Sequence, residues 1–374
     1  MDNQRAKELL IKYNEGQCTE EEKALVESWY LSTVQNDEKI THDEIESAMH
    51  HVRKALPGLK VKRLSLWPRI AAAAILLVAI GVTLLYLKKL PEAQSDVKND
   101  MLPGSNKATL TLANGKKISL TDAADGTVAK ERNVTINKNA NGNLSYVSGD
   151  QQVAPGEIEY NTIETPKGGQ YKIKLPDGTD IWLNAETKLK YPTTFASLKN
   201  RPIELEGEAY FEVAKDKGHP FIVTTSKEKV EVLGTHFNIN AYDNDKVVKT
   251  TLLEGSVKVS NQAGSTKIMK PGQQATADGE SLAIRDVETD YEVAWKDGYF
   301  IFNNENLESI MAKISRWYNA DVVFMDPTLK SKSFIGTISR FDKVSKVLNM
   351  LERTDVAVFN IESGKIIVSR KTRH

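Results

Sequence analysis

The chain has 374 residues, with 50 basic and 50 acidic side chains and 40% hydrophobic residues. That length suits two or three domains, and the even charge balance gives no global field directed at nucleic acid or an anionic surface. The lone cysteine, Cys18, excludes an internal disulfide framework and a cysteine-based zinc site. Of the histidines, at 42, 50, 51, 219, 236 and 374, only the adjacent His50–His51 pair hints at shared ligation, so no metal and no cofactor is expected.

Residues 1–59 carry 12 acids and 7 bases. Three short helices fit this stretch. The first has Ala6, Leu9, Leu10 and Tyr13 at helical spacing and stops at Gly16. The second opens on a capping box, Thr19 to Glu22, and carries Leu25, Val26, Trp29 and Tyr30. The third opens on Thr41 to Glu44, continues through Ile45, Ala48, Met49, Val52 and Leu56, and ends at Pro57-Gly58. So small a chain makes a poor core. Trp29, Tyr30 and Met49 therefore have two readings: they fill that core, or part of the stripe docks a partner, a basic one by charge.

Residues 70–87, IAAAAILLVAIGVTLLYL, are 18 residues without a charge. As a helix this run is ~27 Å long, near the ~30 Å hydrocarbon thickness of a bilayer. Trp67 and Tyr86 sit at its ends, where aromatic belts lie. Lys60, Lys62, Arg63 and Arg69 precede it, and only Lys88 and Lys89 follow closely. The positive-inside rule then predicts a single-pass membrane protein, with residues 1–69 cytosolic and 88–374 across the membrane.

Residues 88–108 read as a polar linker, and 109–290 as a β-rich region. Asn114-Gly115, Asn141-Gly142 and Asp177-Gly178 each divide alternating runs, which predicts type I′ hairpins. The stretches 110–120 and 173–183 look like a weak internal repeat. Further strands are expected at 202–205, 209–213, 221–225, 230–232, 237–241, 246–253, 256–260 and 273–276, the pattern of a sandwich or a β-roll. From residue 296 to 371 the pattern changes. A strand at 299–302 precedes a helix whose Leu307, Ile310, Met311, Ile314 and Tyr318 share one face. Strands at 321–325 and 333–338, a helix with Val344, Val347, Leu348 and Leu351, and strands at 356–361 and 365–369 complete a small α+β domain.

The β-rich region carries an ordered set of motifs. They are Thr165-Pro166-Lys167-Gly168-Gly169, Leu175-Pro176-Asp177-Gly178-Thr179, Trp182-Leu183-Asn184, Tyr191-Pro192 and Gly207-Glu208-Ala209-Tyr210-Phe211-Glu212-Val213. There follow His219-Pro220-Phe221, Val232-Leu233-Gly234-Thr235-His236-Phe237-Asn238, Leu253-Glu254-Gly255-Ser256-Val257 and Pro271-Gly272-Gln273-Gln274. In that order they resemble the FecR family of anti-sigma factors, with the FecR domain at about 160–277. Trp295, Gly298, Phe300 and Ser315-Arg316-Trp317-Tyr318 are similar to the domain appended in these regulators, itself like the signalling domain of secretins and TonB-dependent transporters. The resemblance implies a single-pass protein of a bacterial inner membrane, with residues 88–374 periplasmic and a cytosolic end that holds an extracytoplasmic-function sigma factor. It implies a periplasmic end that senses a TonB-dependent outer-membrane transporter loaded with a glycan or a ferric siderophore, without direct contact to nucleic acid. The sigma-factor contacts then fall to Leu25, Trp29 and Tyr30.

Some relatives of this type are cut at a Gly-Thr bond, and Gly234-Thr235 is the similar bond here. Thr235 Oγ1 attacking the Gly234 carbonyl would give an ester that water opens. The alternative is a tight bend needing a small residue. His236 is a poor base candidate, because neighbouring strand residues point to opposite faces. No G-x-S-x-G, H-E-x-x-H, P-loop or G-x-G-x-x-G pattern occurs, so no other catalysis is expected. A membrane-anchored periplasmic glycan-binding β-protein is the second reading, with Trp182, Trp295 and Trp317 stacking on sugars unless they are core.

Overall fold

The computed structural model describes residues 100–131, 134–148 and 158–371, together with Lys12, Thr19 and Glu22. Residues 1–92 and 93–374 fall into separate units. In the first, the Thr19 capping box is present. The Thr19 N–H donates to Glu22 Oε2 at 3.0 Å, and the Glu22 N–H donates to Thr19 Oγ1 at 3.3 Å. The Thr19 backbone hydrogen bond holds the Glu22 carboxyl below its usual range. Leu25, Trp29, Tyr30 and the apolar run 70–87 lie outside the described residues. Among the described residues no helix is long and apolar enough to cross a membrane.

The β-rich region folds as two ladders that share a strand. One runs, in spatial order, Lys117–Ser119, Thr109–Thr111, Tyr160–Thr165, Thr187–Pro192, Arg201–Glu212, Phe221–Thr224, Glu228–Val232, Val257–Asn261 and Thr266–Met269. The other runs Gly126–Glu131, Val134–Lys138, Leu144–Ser148, Gly169–Lys174, Asp180–Leu183, Arg201–Glu212, His236–Ala241, Val248–Glu254, Gln273–Ala277 and Leu282–Asp286. Alternate residues from both ladders, Ile163, Leu189, Ile203 and Val223 with Ile173, Ile181, Phe211 and Phe237, enter one core. The all-β expectation for this domain holds. Two strands expected at 202–205 and 209–213 are instead one, Arg201–Glu212, which changes ladder at Gly207.

The three expected hairpins form, but their turns differ from the type I′ prediction. In each the glycine amide donates to the carbonyl three residues back: Gly115 to Leu112, Gly142 to Asn139, Gly178 to Leu175. The glycines have φ of +82°, +79° and +88°, while Asn114, Asn141 and Asp177 are not at positive φ. These are three-residue loops with a glycine bulge, closed by the Leu112–Lys116, Asn139–Asn143 and Leu175–Thr179 backbone bonds. An Asx side chain drives the choice. Asn114 Oδ1 accepts from the Lys116 N–H and Asp177 Oδ1 from the Thr179 N–H, so each holds the backbone two residues on.

A short helix, α1 (Thr289–Val293), leads to the C-terminal domain. There Tyr299–Asn306 pairs with Ser333–Ser339, and Asp321–Phe324, Lys365–Arg370 and Ala357–Glu362 form a second sheet. Helices α2 (Leu307–Tyr318) and α3 (Val344–Glu352) lie between the strands in sequence. Leu307, Ile310, Met311, Ile314 and Tyr318 are buried as their spacing predicts, and Trp317 joins them. Asn306 caps α2 by accepting from the Ser309 N–H at 2.9 Å. This core also takes in Ala185 from the β-rich domain and Met101 from the chain before it. Residues 100–108, expected within the linker 88–108, are therefore packed. Ser105–Asn106 pairs parallel with Gly169–Gln170, and Ala108 enters the main core.

Candidate functional site

The Gly234–Thr235 peptide sits where the chain turns into His236–Ala241. Gly234 has φ +145°, and a Cβ there would lie 2.5 Å from Lys215 Cγ and 2.7 Å from Lys215 Cα. Only glycine suits that backbone and that space. The segment is held from one side by the Val213 N–H donating to the Thr235 carbonyl at 3.1 Å and the Asp216 N–H to Leu233 at 2.9 Å. Gly255 closes the other side; a Cβ there would meet Thr235 Oγ1 at 2.9 Å. Thr235 is buried, and its hydroxyl donates to the Ser256 carbonyl at 3.2 Å. A carbonyl can accept that hydrogen bond but cannot take the proton. His236 points elsewhere, with Nδ1 3.4 Å from Glu254 Oε2.

The loop that buttresses this bend is anchored by a residue the sequence did not single out. Arg201, buried, donates from Nη1 to Asp177 Oδ2 at 2.7 Å and to the Ala214 carbonyl at 3.0 Å, and from Nε to the His219 carbonyl at 2.8 Å. Thr179 Oγ1 donates to Asp177 Oδ2 at 2.7 Å and accepts from the Ala214 N–H at 3.1 Å. The Asp177-Gly178-Thr179 turn thus holds the 214–219 loop, which in turn bears on Gly234.

A second polar cluster joins the β-rich and C-terminal domains. Glu208 Oε2 accepts from Asn184 Nδ2 at 2.7 Å and Oε1 from Asn238 Nδ2 at 3.1 Å. Asn238 Oδ1 accepts from Trp295 Nε1 at 3.2 Å. From the other domain comes Arg340, 1% exposed. Its Nη2 donates to Asn184 Oδ1 at 2.9 Å and its Nη1 to the Trp295 carbonyl at 2.8 Å. The guanidinium lies 3.5 Å from the centroid of the Trp317 ring. Burial lowers its pKa to about 10, so it stays charged at neutral pH. Beside it, Tyr242 donates to the Ala185 carbonyl at 2.8 Å, and Arg316 lies 3.9 Å from the Tyr242 ring centroid. Asn184, Glu208, Asn238 and Trp295, far apart in sequence, converge here. Their motifs could be read in the sequence, but Arg340 carried no local signal.

Of the tryptophans considered for sugar stacking, Trp317 and Trp295 are buried at 1% and 8% exposure. Trp182 is half-buried, with Lys172 Nζ 4.0 Å from its ring centroid. Trp295 and Trp317 therefore offer no open face, and Lys172 lies against the ring of Trp182. Among the described residues no cluster of His, Cys, Asp and Glu could hold a metal ion.

The FecR protein family model matches residues 161–258, and the FecR C-terminal model matches residues 299–368. Among solved structures the chain is similar to two crystal structures, each of a candidate anti-sigma factor from Parabacteroides distasonis ATCC 8503. One, at 1.65 Å, is 29% identical with a TM-score of 0.53, covering 56% of this chain and 99% of that one. The other, at 2.50 Å, is 30% identical with a TM-score of 0.53, covering 57% of this chain and 100% of that one. No curated protein matches the sequence. Two family models in consecutive order fall on the β-rich and the appended α+β domain, and a relative is matched along its whole length: the chain belongs to the FecR family.

Proposed function

We propose that the chain is an anti-sigma factor and transmembrane signal transducer. The observation that carries this reading is the 30% identity to a candidate anti-sigma factor of which the chain covers 100%. In the finer reading, residues 1–69 are cytosolic and bind an extracytoplasmic-function sigma factor through Leu25, Trp29 and Tyr30. Residues 70–87 cross the inner membrane, and the domains after residue 88 are periplasmic. There the C-terminal domain meets the signalling domain of a TonB-dependent transporter. The charge-free run and its basic flank support that topology, and the acidic balance of residues 1–59 supports a basic partner surface. The protein acts by binding, and any chemistry is confined to its own Gly234–Thr235 bond.

The test is sigma-factor capture by the full-length chain in detergent. Trp29→Ala weakens capture by ~2–4 kcal/mol if Trp29 is an interface anchor. Undiminished capture by a variant that merely unfolds more readily assigns Trp29 to the head's own core and removes it from the interface.

A further inference from the structure

The eight residues before the β-rich core cross the seam between the two domains, and each end is held by a different one. Asp100 belongs to the C-terminal side. Its Oδ1 accepts from the Ser345 N–H at 3.1 Å, and its Oδ2 accepts from Ser345 Oγ at 2.8 Å. The residue at the start of α3, Lys343, makes no side-chain cap bond, so Asp100 supplies the cap from 245 residues away. A carboxylate there satisfies an otherwise orphan amide and suits the positive end of the helix. The Met101 carbonyl accepts from the Val344 N–H at 3.1 Å, and its side chain packs on the C-terminal core. Gly104 lies flat against Trp317; a Cβ there would be 2.6 Å from Trp317 Cε3. Ser105 and Lys107 then donate to the carbonyls of Gly168 at 3.0 Å and Gln170 at 3.1 Å, in the β-rich domain.

This strap is lightly held. Leu102 is 72% exposed, and Ser105, Asn106 and Lys107 are all exposed. Its grip is a cap, a few backbone bonds, the half-buried Met101 side chain and one glycine contact. Segments with few buried apolar contacts open well below the free energy of global unfolding. By contrast Trp317, against which Gly104 lies, is 1% exposed, as is Arg340 stacked on the same ring. Within the unit 93–374 the strap holds the first described residues, beginning at Asp100.

We propose that residues 100–107 are a latch, closed in this structure, whose opening carries a signal from the C-terminal domain to the chain that precedes residue 100. A protein partner of the C-terminal domain that favours a shifted α3 or Trp317 binds the open state better and therefore opens the latch; by linkage, opening the latch favours that partner. The signalling half of this inference rests on the reading of the chain as a signal transducer, whereas the latch itself does not.

Two variants open it from different sides. Asp100→Ala removes the cap, and Gly104→Val drives a side chain into Trp317. Asp100→Asn keeps the oxygen that accepts from the Ser345 N–H and serves as the conservative control. Hydrogen exchange is followed by mass spectrometry on the full-length chain in detergent, in parallel with output from a sigma-dependent reporter. In Asp100→Ala the amides of Ser105, Lys107, Val344 and Ser345 exchange roughly 5- to 10-fold faster. Those of Phe237 and Ile239, in the main core, do not change. Gly104→Val shows the same pattern, and Asp100→Asn stays near wild type. Basal reporter output shifts severalfold in the two opened variants only. Wild-type exchange in Asp100→Ala overturns the latch. Faster exchange with unchanged output, in a wild-type chain that does capture its sigma factor, overturns its signalling role. A wild-type chain that captures no sigma factor refutes the transducer reading and the signalling role with it, leaving the latch to be judged on exchange alone.

Discussion

Replacing Arg340 tests whether the seam is held by its polar cluster or by apolar contact alone. Arg340→Met keeps most of the side-chain volume and removes the guanidinium. Two hydrogen bonds from a buried cation disappear, to Asn184 Oδ1 and the Trp295 carbonyl, together with the stack 3.5 Å from the Trp317 centroid. Hydrogen bonds involving a charged group contribute ~1.5–3 kcal/mol each, and breaking a buried charged contact costs ~3–5 kcal/mol. These figures describe overlapping effects, so the expected loss is about 3–5 kcal/mol rather than their sum. For a unit of this size that corresponds to a fall in Tm on the order of 10 °C. Part of the loss is the Glu208 carboxylate, buried and held by two asparagine amides, left without the cation two bonds away. Glu208→Gln removes that charge, so the double variant recovers ~1–2 kcal/mol relative to additivity. Thermal and urea unfolding followed by tryptophan fluorescence reads the effect directly, because Trp295 and Trp317 both touch Arg340. A loss under ~1 kcal/mol, or strict additivity with Glu208→Gln, would refute the reasoning and leave the seam to Ala185 and its apolar neighbours.

Two further predictions concern the β-rich domain. Glu228 is buried, accepts a hydrogen bond from Thr250 on one oxygen, and has no partner for the other among the described residues. Burial raises its pKa from 4.5 to about 7. The folded state therefore holds a proton that the unfolded state releases near 4.5, and this group's contribution to stability falls as pH rises from about 4.5 through about 7. Glu228→Gln, which keeps the acceptor for Thr250, should raise Tm at pH 8 by the equivalent of a few kcal/mol, about 1.4 per pKa unit, and have little effect at pH 4. An equal gain at both pH values would contradict the burial argument. For the Gly234–Thr235 bond, the committed hydroxyl of Thr235 predicts slow cleavage or none while the bend stays closed. Incubated protein is weighed by mass spectrometry. A break between 234 and 235 that survives in Thr235→Ser and vanishes in Thr235→Ala establishes self-cleavage, and an intact folded chain establishes the bend alone.

Helix faces were legible because their signal is local. The spacing of Leu307, Ile310, Met311, Ile314 and Tyr318 marks the buried side of α2 without reference to anything else. Hairpin positions were legible for the same reason, yet their turn type was not. Asn-Gly suits a type I′ turn in isolation, but the Asn114 and Asp177 side chains bind backbone two residues on and shift closure to a three-residue loop. Strands such as Thr266–Met269, exposed at three of four positions, gave no alternation to read. The long strand Arg201–Glu212 was split in the sequence because Gly207 reads as a break. In the fold it is where one strand passes from ladder to ladder. Arg201 and Arg340 were invisible because an isolated arginine in a polar stretch reads as surface. Only the tertiary fold shows that each one enters a buried cage of carbonyl and side-chain oxygens.

The polar character of the seam also bears on how a signal could cross it. Apolar packing alone, such as Ala185 in the C-terminal core, is non-directional and would tolerate small shifts between the domains. The chain from Arg340 through Asn184, Glu208 and Asn238 to Trp295 is directional at every link. Sliding by even one ångström or so would leave a buried carboxylate and a buried guanidinium without partners, which is expensive in a low-dielectric interior. The two domains are therefore in register rather than merely in contact, and a partner that binds the C-terminal domain meets no soft hinge at this point. The contacts of the strap, where Asp100 caps α3 and Gly104 rests on Trp317, bury no charge pair and cost less to open than this cluster. A perturbation of α3 or Trp317 that is too weak to break the Arg340 cluster can still release the strap. The geometry thus separates a stiff joint that keeps the domains together from a loose one through which they can be read.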